Sequence, residues 1–418
     1  MKTSSLPTST DVAIIGAGPS GSVAAALLRQ RGWQVCVLER QHFPRFSIGE
    51  SLLPYCMEIL KEADLLQAVN DGGFQIKNGA AFTWGDRESV IDFRDKFTAG
   101  PGTTFQVERA KFDQILIQEA QKKGVQVWFG HTVTHMTSTP EHATLSVSTD
   151  QDESYTLQAR FVLDASGYGR VLPRLLDLEQ PSTFPMREAW FTHIQDNISD
   201  PAFDREKIVI ATHPQDRAIW MWLIPFSHGR CSIGVVGEPS HLAMNGRQPL
   251  PFLQAMTNEI PRLRQLLADA QWDTPVNPLR GYSANVTSLY GQRFALLGNA
   301  AEFLDPVFSS GVTIAMHSAK LATALIDKTL RGQTADWQTD FADALRVGID
   351  TFRTYVAGWY DCSFQDVIYS RQINQDIRRM IAAILAGYAW DTRNPYVEKS
   401  KRRLKALAEI CGEAQLDT

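Results

Sequence analysis

Residues 12–15, Val12, Ala13, Ile14 and Ile15, form a short apolar run with Gly16 at its end. Such a run predicts a buried strand. An alanine-rich stretch to Arg31 predicts a helix closed by Gly32, and residues 35–38 predict a second buried strand ending at Glu39. Two more apolar runs, 161–163 and 294–297, each lead into a turn of small residues, from Asp164 to Arg170 and from Gly298 to Ala301. Alternation over 207–211, 218–224 and 231–236 predicts antiparallel strands. Val312 to Leu325 has helical character, and residues 336–418 read as helical. Near the end, Leu404, Leu407, Ala408 and Cys411 recur at helical spacing and give one apolar face.

Composition narrows the class. The chain has 418 residues, 44% hydrophobic and 21% charged, which suits a large core and two or three structural units. A net charge of −5 argues against nucleic acid as the main partner. No apolar run reaches the roughly 18–20 residues that span a bilayer, and the first ten residues lack a signal-peptide core. Five dispersed cysteines (36, 56, 231, 362, 411) suggest a reduced, cytoplasmic protein without a disulfide framework. No cysteine pair has metal spacing, and His131 and His135 lack the H-E-x-x-H context, so no metal site is expected.

The first turn carries the sharpest chemistry. Gly16, Gly18 and Gly21 form G-x-G-x-x-G between a strand and a helix, with Glu39 about 20 positions on. Gly16 permits the tight turn, Gly18 lets the backbone approach a pyrophosphate, and Gly21 lets the helix pack on the strand. The helix N-terminus offers N–H groups to phosphate, and Glu39 can accept hydrogen bonds from a ribose diol. This predicts an α/β protein with a Rossmann-type, glutathione-reductase-like dinucleotide domain.

Together the three turns resemble the FAD signature of the group A flavin monooxygenase superfamily, with Asp164, Gly298 and Asn299 as contacts and Arg109 beside the FAD phosphates. Narrower motifs are the stretch from Pro44 to Pro54, which contains Arg45 and Ser47, then W-x-W-x-I-P from Trp220 to Pro225, and F-x-x-P-x-x-S-x-G from Phe303 to Gly311. With Lys77 ahead of Asn78 and Gly79, they resemble the flavin-dependent halogenases, in the branch acting on phenolic or pyrrolic groups often held on a carrier protein. The resemblance implies that a flavin hydroperoxide converts chloride or bromide to hypohalous acid, which is relayed through a tunnel to Lys77 beside an electron-rich ring. It also implies a wall of Trp220 and Trp222 between flavin and substrate, a halide near Ser310 and Gly311, and flavin contacts at Gly311 and Val312.

Two positions depart from the wider pattern. Asn299 stands where most relatives carry aspartate. Phe308 stands where tryptophan-type halogenases place a catalytic glutamate, which leaves no assigned acid or base. Only one full G-x-G-x-x-G exists, so a separate flavin reductase is implied. The expected organisation is an FAD unit of 1–180 plus 281–335, a substrate-facing sheet of 181–280 and a helical region of 336–418. Lys399, Lys401, Arg402, Arg403 and Lys405 are a candidate landing site for an acidic carrier protein. The rival expectation is a halogenase-like FAD-dependent monooxygenase, dehydrogenase or reductase that does not halogenate.

Overall fold

The computed structural model describes residues 6–242 and 244–416, with the side chains of 413–416 excluded. Two sheets organise it. The first has a parallel core in which the strand Ser9–Ile15 lies between Val35–Glu39 and Ser154–Asp164. The strands Phe294–Leu296 and Gln126–Phe129 extend it in parallel on either side. Parallel pairing requires crossovers, and the helix Pro19–Gln30 supplies the first, as the βαβ reading predicted. Val12, Ala13 and Ile14 are completely buried, as expected for a strand covered on both faces. All three glycine-containing turns therefore emerge at the C-terminal ends of neighbouring parallel strands, where open α/β sheets bind ligands.

The second sheet has seven strands, antiparallel except where Lys207–Thr212 runs parallel to Gly79–Trp84. Lys207–Thr212, Trp220–Pro225 and Arg230–Gly237 are consecutive neighbours in it. Their alternation is real in direction, but every residue of Trp220–Pro225 is buried. Trp220, Trp222 and Ile224 belong to the main core. Met221 and Leu223 join a second cluster with Phe252 and Leu253 from the helix Pro249–Glu259. Helices on the outer face thus remove the solvent side that simple alternation implies. The strands Gly79–Trp84 and Arg87–Asp92 also belong to this sheet, so the layer draws on sequence well before residue 181.

The helix Ser310–Leu330 packs against Pro19–Gln30, and helices continue through Ala344–Tyr360, Ser363–Tyr369, Gln375–Leu385 and Ser400–Leu416. Leu404, Leu407 and Cys411 are buried on the last helix, as their spacing predicted. Among the described residues, no helix is long and apolar enough to cross a membrane.

Candidate functional site

A cavity of about 550 Å³ opens where the three turns meet the second sheet. The glycines of the first turn divide by function. Gly16 holds φ +100°, and a Cβ there would stand 2.6 Å from the Ala165 carbonyl oxygen. A Cβ on Gly21 would stand 2.0 Å from the Gly16 oxygen. Both are demanded by the protein's own packing. Gly18 has an ordinary φ of −72°, and its Cβ would meet only the Arg45 guanidinium at 3.6 Å. Gly18 lines the cavity, so a side chain there would consume ligand space. Glu39, also in the lining, accepts from Ala17 N and Gln41 N at 2.9 Å each. Each carboxylate oxygen keeps a second lone pair for a sugar hydroxyl. This cradle fits a dinucleotide such as FAD.

Arg45, Ser47, Asn299, Gly311 and Val312 line the same cavity. Four other expectations need correction. Asp164 is fully buried behind its turn, where it accepts from Ser166 N at 2.9 Å and Leu172 N at 2.6 Å. It anchors the turn, and Ala165, Ser166 and Gly167 face the cavity instead. Burial pushes its carboxyl up, against the lowering effect of these hydrogen bonds. Gly298 also lies behind the lining, where a Cβ would collide with Ala315 at 2.6 Å. Ser310 is buried, and its neighbours Ser309 and Gly311 form the surface. Ser309 adopts φ +57° and caps the helix Ser310–Leu330 without a side-chain bond, so the first amides of a 21-residue helix open at this point.

Arg109 does line the cavity, but its guanidinium is committed elsewhere. Nε and Nη2 bond Asp113 at 2.7 and 2.9 Å, and Nη1 donates to the Ile48 carbonyl at 2.5 Å. Asp113 also accepts from Arg45 at 3.1 Å. The two arginines and Asp113 brace the loop 45–49 over the cavity rather than presenting an open phosphate contact.

Trp220, Trp222 and Ile224 share the cavity-facing side of their strand. Trp222 donates to Ser232 at 3.0 Å, and Gly234 gives it room, since a Cβ there would lie 2.3 Å from the indole. Phe191 packs beside it at 6.0 Å between centroids.

Lys77 departs furthest from expectation. It is only 1% exposed and absent from the cavity lining. Nζ donates to the Leu52 carbonyl at 2.8 Å and lies 5.4 Å from the Phe93 ring centroid. Burial lowers its pKa to about 7, with the neighbouring Cys56 thiol opposing weakly. Burial thus makes the amine easier to deprotonate than a free lysine, and it does not line the cavity.

Sequence reasoning left three acid groups unassigned. Phe308 is buried edge-on against Trp359 and Phe364, with no carboxylate in its place. Asp305, three residues earlier, is fully buried, and burial pushes it up to about 6 despite Arg187 nearby. Tyr360 donates to it at 3.0 Å. Glu50 lines the cavity, and His193 Nε2 bonds its Oε1 at 2.5 Å. Asp113 is the third. Glu50 lay inside a quoted motif, but its partner is 143 residues away, a pairing no local pattern reports.

An FAD binding domain family model matches residues 9–349. A tryptophan 2-halogenase of Chondromyces crocatus is 30% identical over 78% of this chain and 63% of its own. A flavin-dependent halogenase of Armillaria mellea is 30% identical over 79% of this chain and 70% of its own. The chain belongs to the flavin-dependent halogenase family of FAD-binding proteins. It spans a little under two thirds of the Chondromyces relative. Nearly full-length similarity, 27% over 96% of this chain and 94% of the other, joins this halogenase-family member to a 1H-pyrrole-2-carbonyl-[peptidyl-carrier protein] chlorinase of Pseudomonas fluorescens. A crystal structure described as a flavoprotein/dehydrogenase from Cytophaga hutchinsonii is 40% identical, with a TM-score of 0.94 over 97% of this chain and all of that one. Membership makes the protein an FAD-dependent oxidoreductase and confirms the α/β, FAD-binding fold class.

Proposed function

We propose that the protein uses reduced FAD, dioxygen and chloride or bromide to halogenate an electron-rich aromatic ring, phenolic or pyrrolic, free or tethered to a carrier protein. The observation that carries this reading is the FAD-sized cavity faced by the indoles of Trp220 and Trp222, with the buried Lys77 amine outside its lining.

Reduced FAD, when bound, would give two electrons to dioxygen, which takes two more as halide is oxidised to an electrophilic halogen. Gly16, Gly18 and Glu39 would hold its dinucleotide part. The amides at the start of Ser310–Leu330 favour a small anion, because they carry unpaired N–H groups and the positive end of the helix dipole. The two indoles exclude a ring-sized acceptor from the cavity, so only a small species passes. Lys77 donates a hydrogen bond to hypohalous acid, or as neutral amine takes the halogen and passes it to a ring carbon, which then loses its proton. A separate reductase supplies the reduced flavin, and the pyrrole-carrier relative supports a tethered substrate.

A second reading is favoured by the similarity to a flavoprotein/dehydrogenase and by the closed surroundings of Lys77. It assigns a dehydrogenase, reductase or hydroxylase using the same FAD cradle. Mass spectrometry separates the two. Reduced FAD, dioxygen and a panel of free and carrier-bound phenols and pyrroles are incubated with bromide, with chloride and without halide. Products bearing the halogen isotope pattern support halogenation. Oxidised or hydroxylated products formed equally well without halide support the second reading.

A further inference from the structure

Glu50 lies between the cavity and His193, which shares the cavity-facing side of its strand with Phe191. It is 1% exposed and lines the cavity. Its Oε1 is bonded by His193 Nε2 at 2.5 Å, while its Oε2 is buried with no protein partner. The His193 side chain is 22% exposed, so the imidazole is the part of the pair that meets water. Its ring is fixed between Phe46, at 5.9 Å, and Phe226, at 5.1 Å.

The chemistry of the proposed function needs such a route. Reduced FAD brings two hydrogens, the aromatic ring gives up one, and four hydrogens end in two waters. The fourth is a proton that must enter with the halide. Dioxygen takes two electrons from reduced FAD and two as halide becomes the ring substituent, so charge and electrons balance. The other carboxylate in the cavity lining, Glu39, already holds two backbone amides.

We propose that the Glu50–His193 pair conducts this proton from solvent into the cavity, an inference that rests on the halogenase reading. The imidazolium gives its Nε2 proton to Glu50 Oε1, the protonated carboxyl turns about its Cγ–Cδ bond to release that same proton into the cavity, and Nε2 takes a new proton from water. The charged groups around the ring are Glu50, Glu108, Arg230 and Asp273, with Arg109 facing Glu50 from the cavity side. Burial by itself lowers the imidazole, but the Glu50 hydrogen bond and charge, helped by Glu108, outweigh it and raise the pKa above the usual value. The ring therefore keeps its proton to higher pH than a free imidazole does.

Two measurements test this. The first needs no turnover: nitrogen-15 NMR titration of the histidines in the cofactor-free protein, wild type against Glu50→Gln. The raised His193 pKa should fall in the variant. The second compares wild type with His193→Ala and His193→Gln, each checked for FAD retention. Glutamine keeps a donor toward Glu50 but cannot relay a proton. Both variants should halogenate at least about tenfold more slowly at neutral pH. Added imidazole or lower pH should restore much of the alanine variant's rate. An unchanged His193 pKa in Glu50→Gln overturns the proposal. So does a variant rate equal to wild type, or a slowed rate that neither imidazole nor acid improves. A wild type that forms no halogenated product removes the halogenase reading, and the proposal with it. Wild-type halogenation with histidine variants of equal rate removes the relay alone.

Discussion

Trp220 donates its indole N–H to the Tyr360 hydroxyl at 2.9 Å, tying the wall of the second sheet to the helix Ala344–Tyr360. Tyr360 passes its own proton donor on to Asp305, three residues before the turn whose amides reach the cavity. The Trp220 face and the loop that begins at Asp305 are thus fastened to one hydroxyl. Tyr360→Phe strands the Trp220 N–H and removes a donor from Asp305. A buried unpaired donor costs about 1–3 kcal/mol. The expected outcome is a lower melting temperature, together with more hydrogen peroxide formed per halogenated product as the wall loosens. Calorimetry and a peroxide assay check both parts.

The glycines of the first turn should separate by consequence. Gly18→Val places its side chain in the cavity without touching backbone, so the protein should fold with near-normal stability yet emerge colourless. Gly21→Ala sets a Cβ against the Gly16 carbonyl and should lose about 1–3 kcal/mol or more in denaturant unfolding. A yellow Gly18→Val protein would remove the pyrophosphate from this turn.

Lys77 should leave a signature in stability against pH. Its folded pKa, about 7, lies below the unfolded value of 10.5. Between those pH values the unfolded chain binds more protons than the native state, so stability rises with pH across that window. The effect is on the order of 1.4 kcal/mol for each unit of displaced pKa. Lys77→Met keeps the apolar stem and removes the charge, so the wild-type-minus-variant difference should grow from about pH 7 to about pH 10. A difference that stays flat would mean that the amine is solvated.

What was legible in the sequence follows from how local each constraint is. Gly16 and Gly21 could be read because their spacing encodes a backbone approach within one turn. Glu39 could be read because strand length fixes where it ends. Asp164 and Gly298 sit in the correct turns but point behind them, and side-chain direction at a turn is absent from motif spacing. The alternation around Trp222 gave the strand and its wall face, whereas the helices covering Met221 and Leu223 come from 249–266 and leave no mark on that strand. Arg109 was placed at the cavity but its commitment to Asp113 was missed, although an i, i+4 arginine–aspartate pair on a helix is a readable signal. Burial of Lys77 depends on two separate stretches, Leu52 to Cys56 and the segment around Phe93, and had no local trace.

The central proposal is that oxidation begun in the cavity is completed at Lys77, outside the cavity lining. The most direct measurement follows halogenated product and oxygen uptake together, in wild type and Lys77→Ala, with reduced FAD, bromide and an electron-rich phenol. The account predicts that the variant consumes oxygen and retains FAD while brominated product falls by at least about a hundredfold. Equal bromination by both proteins, or none by either alongside a halide-independent oxidised product, would contradict it.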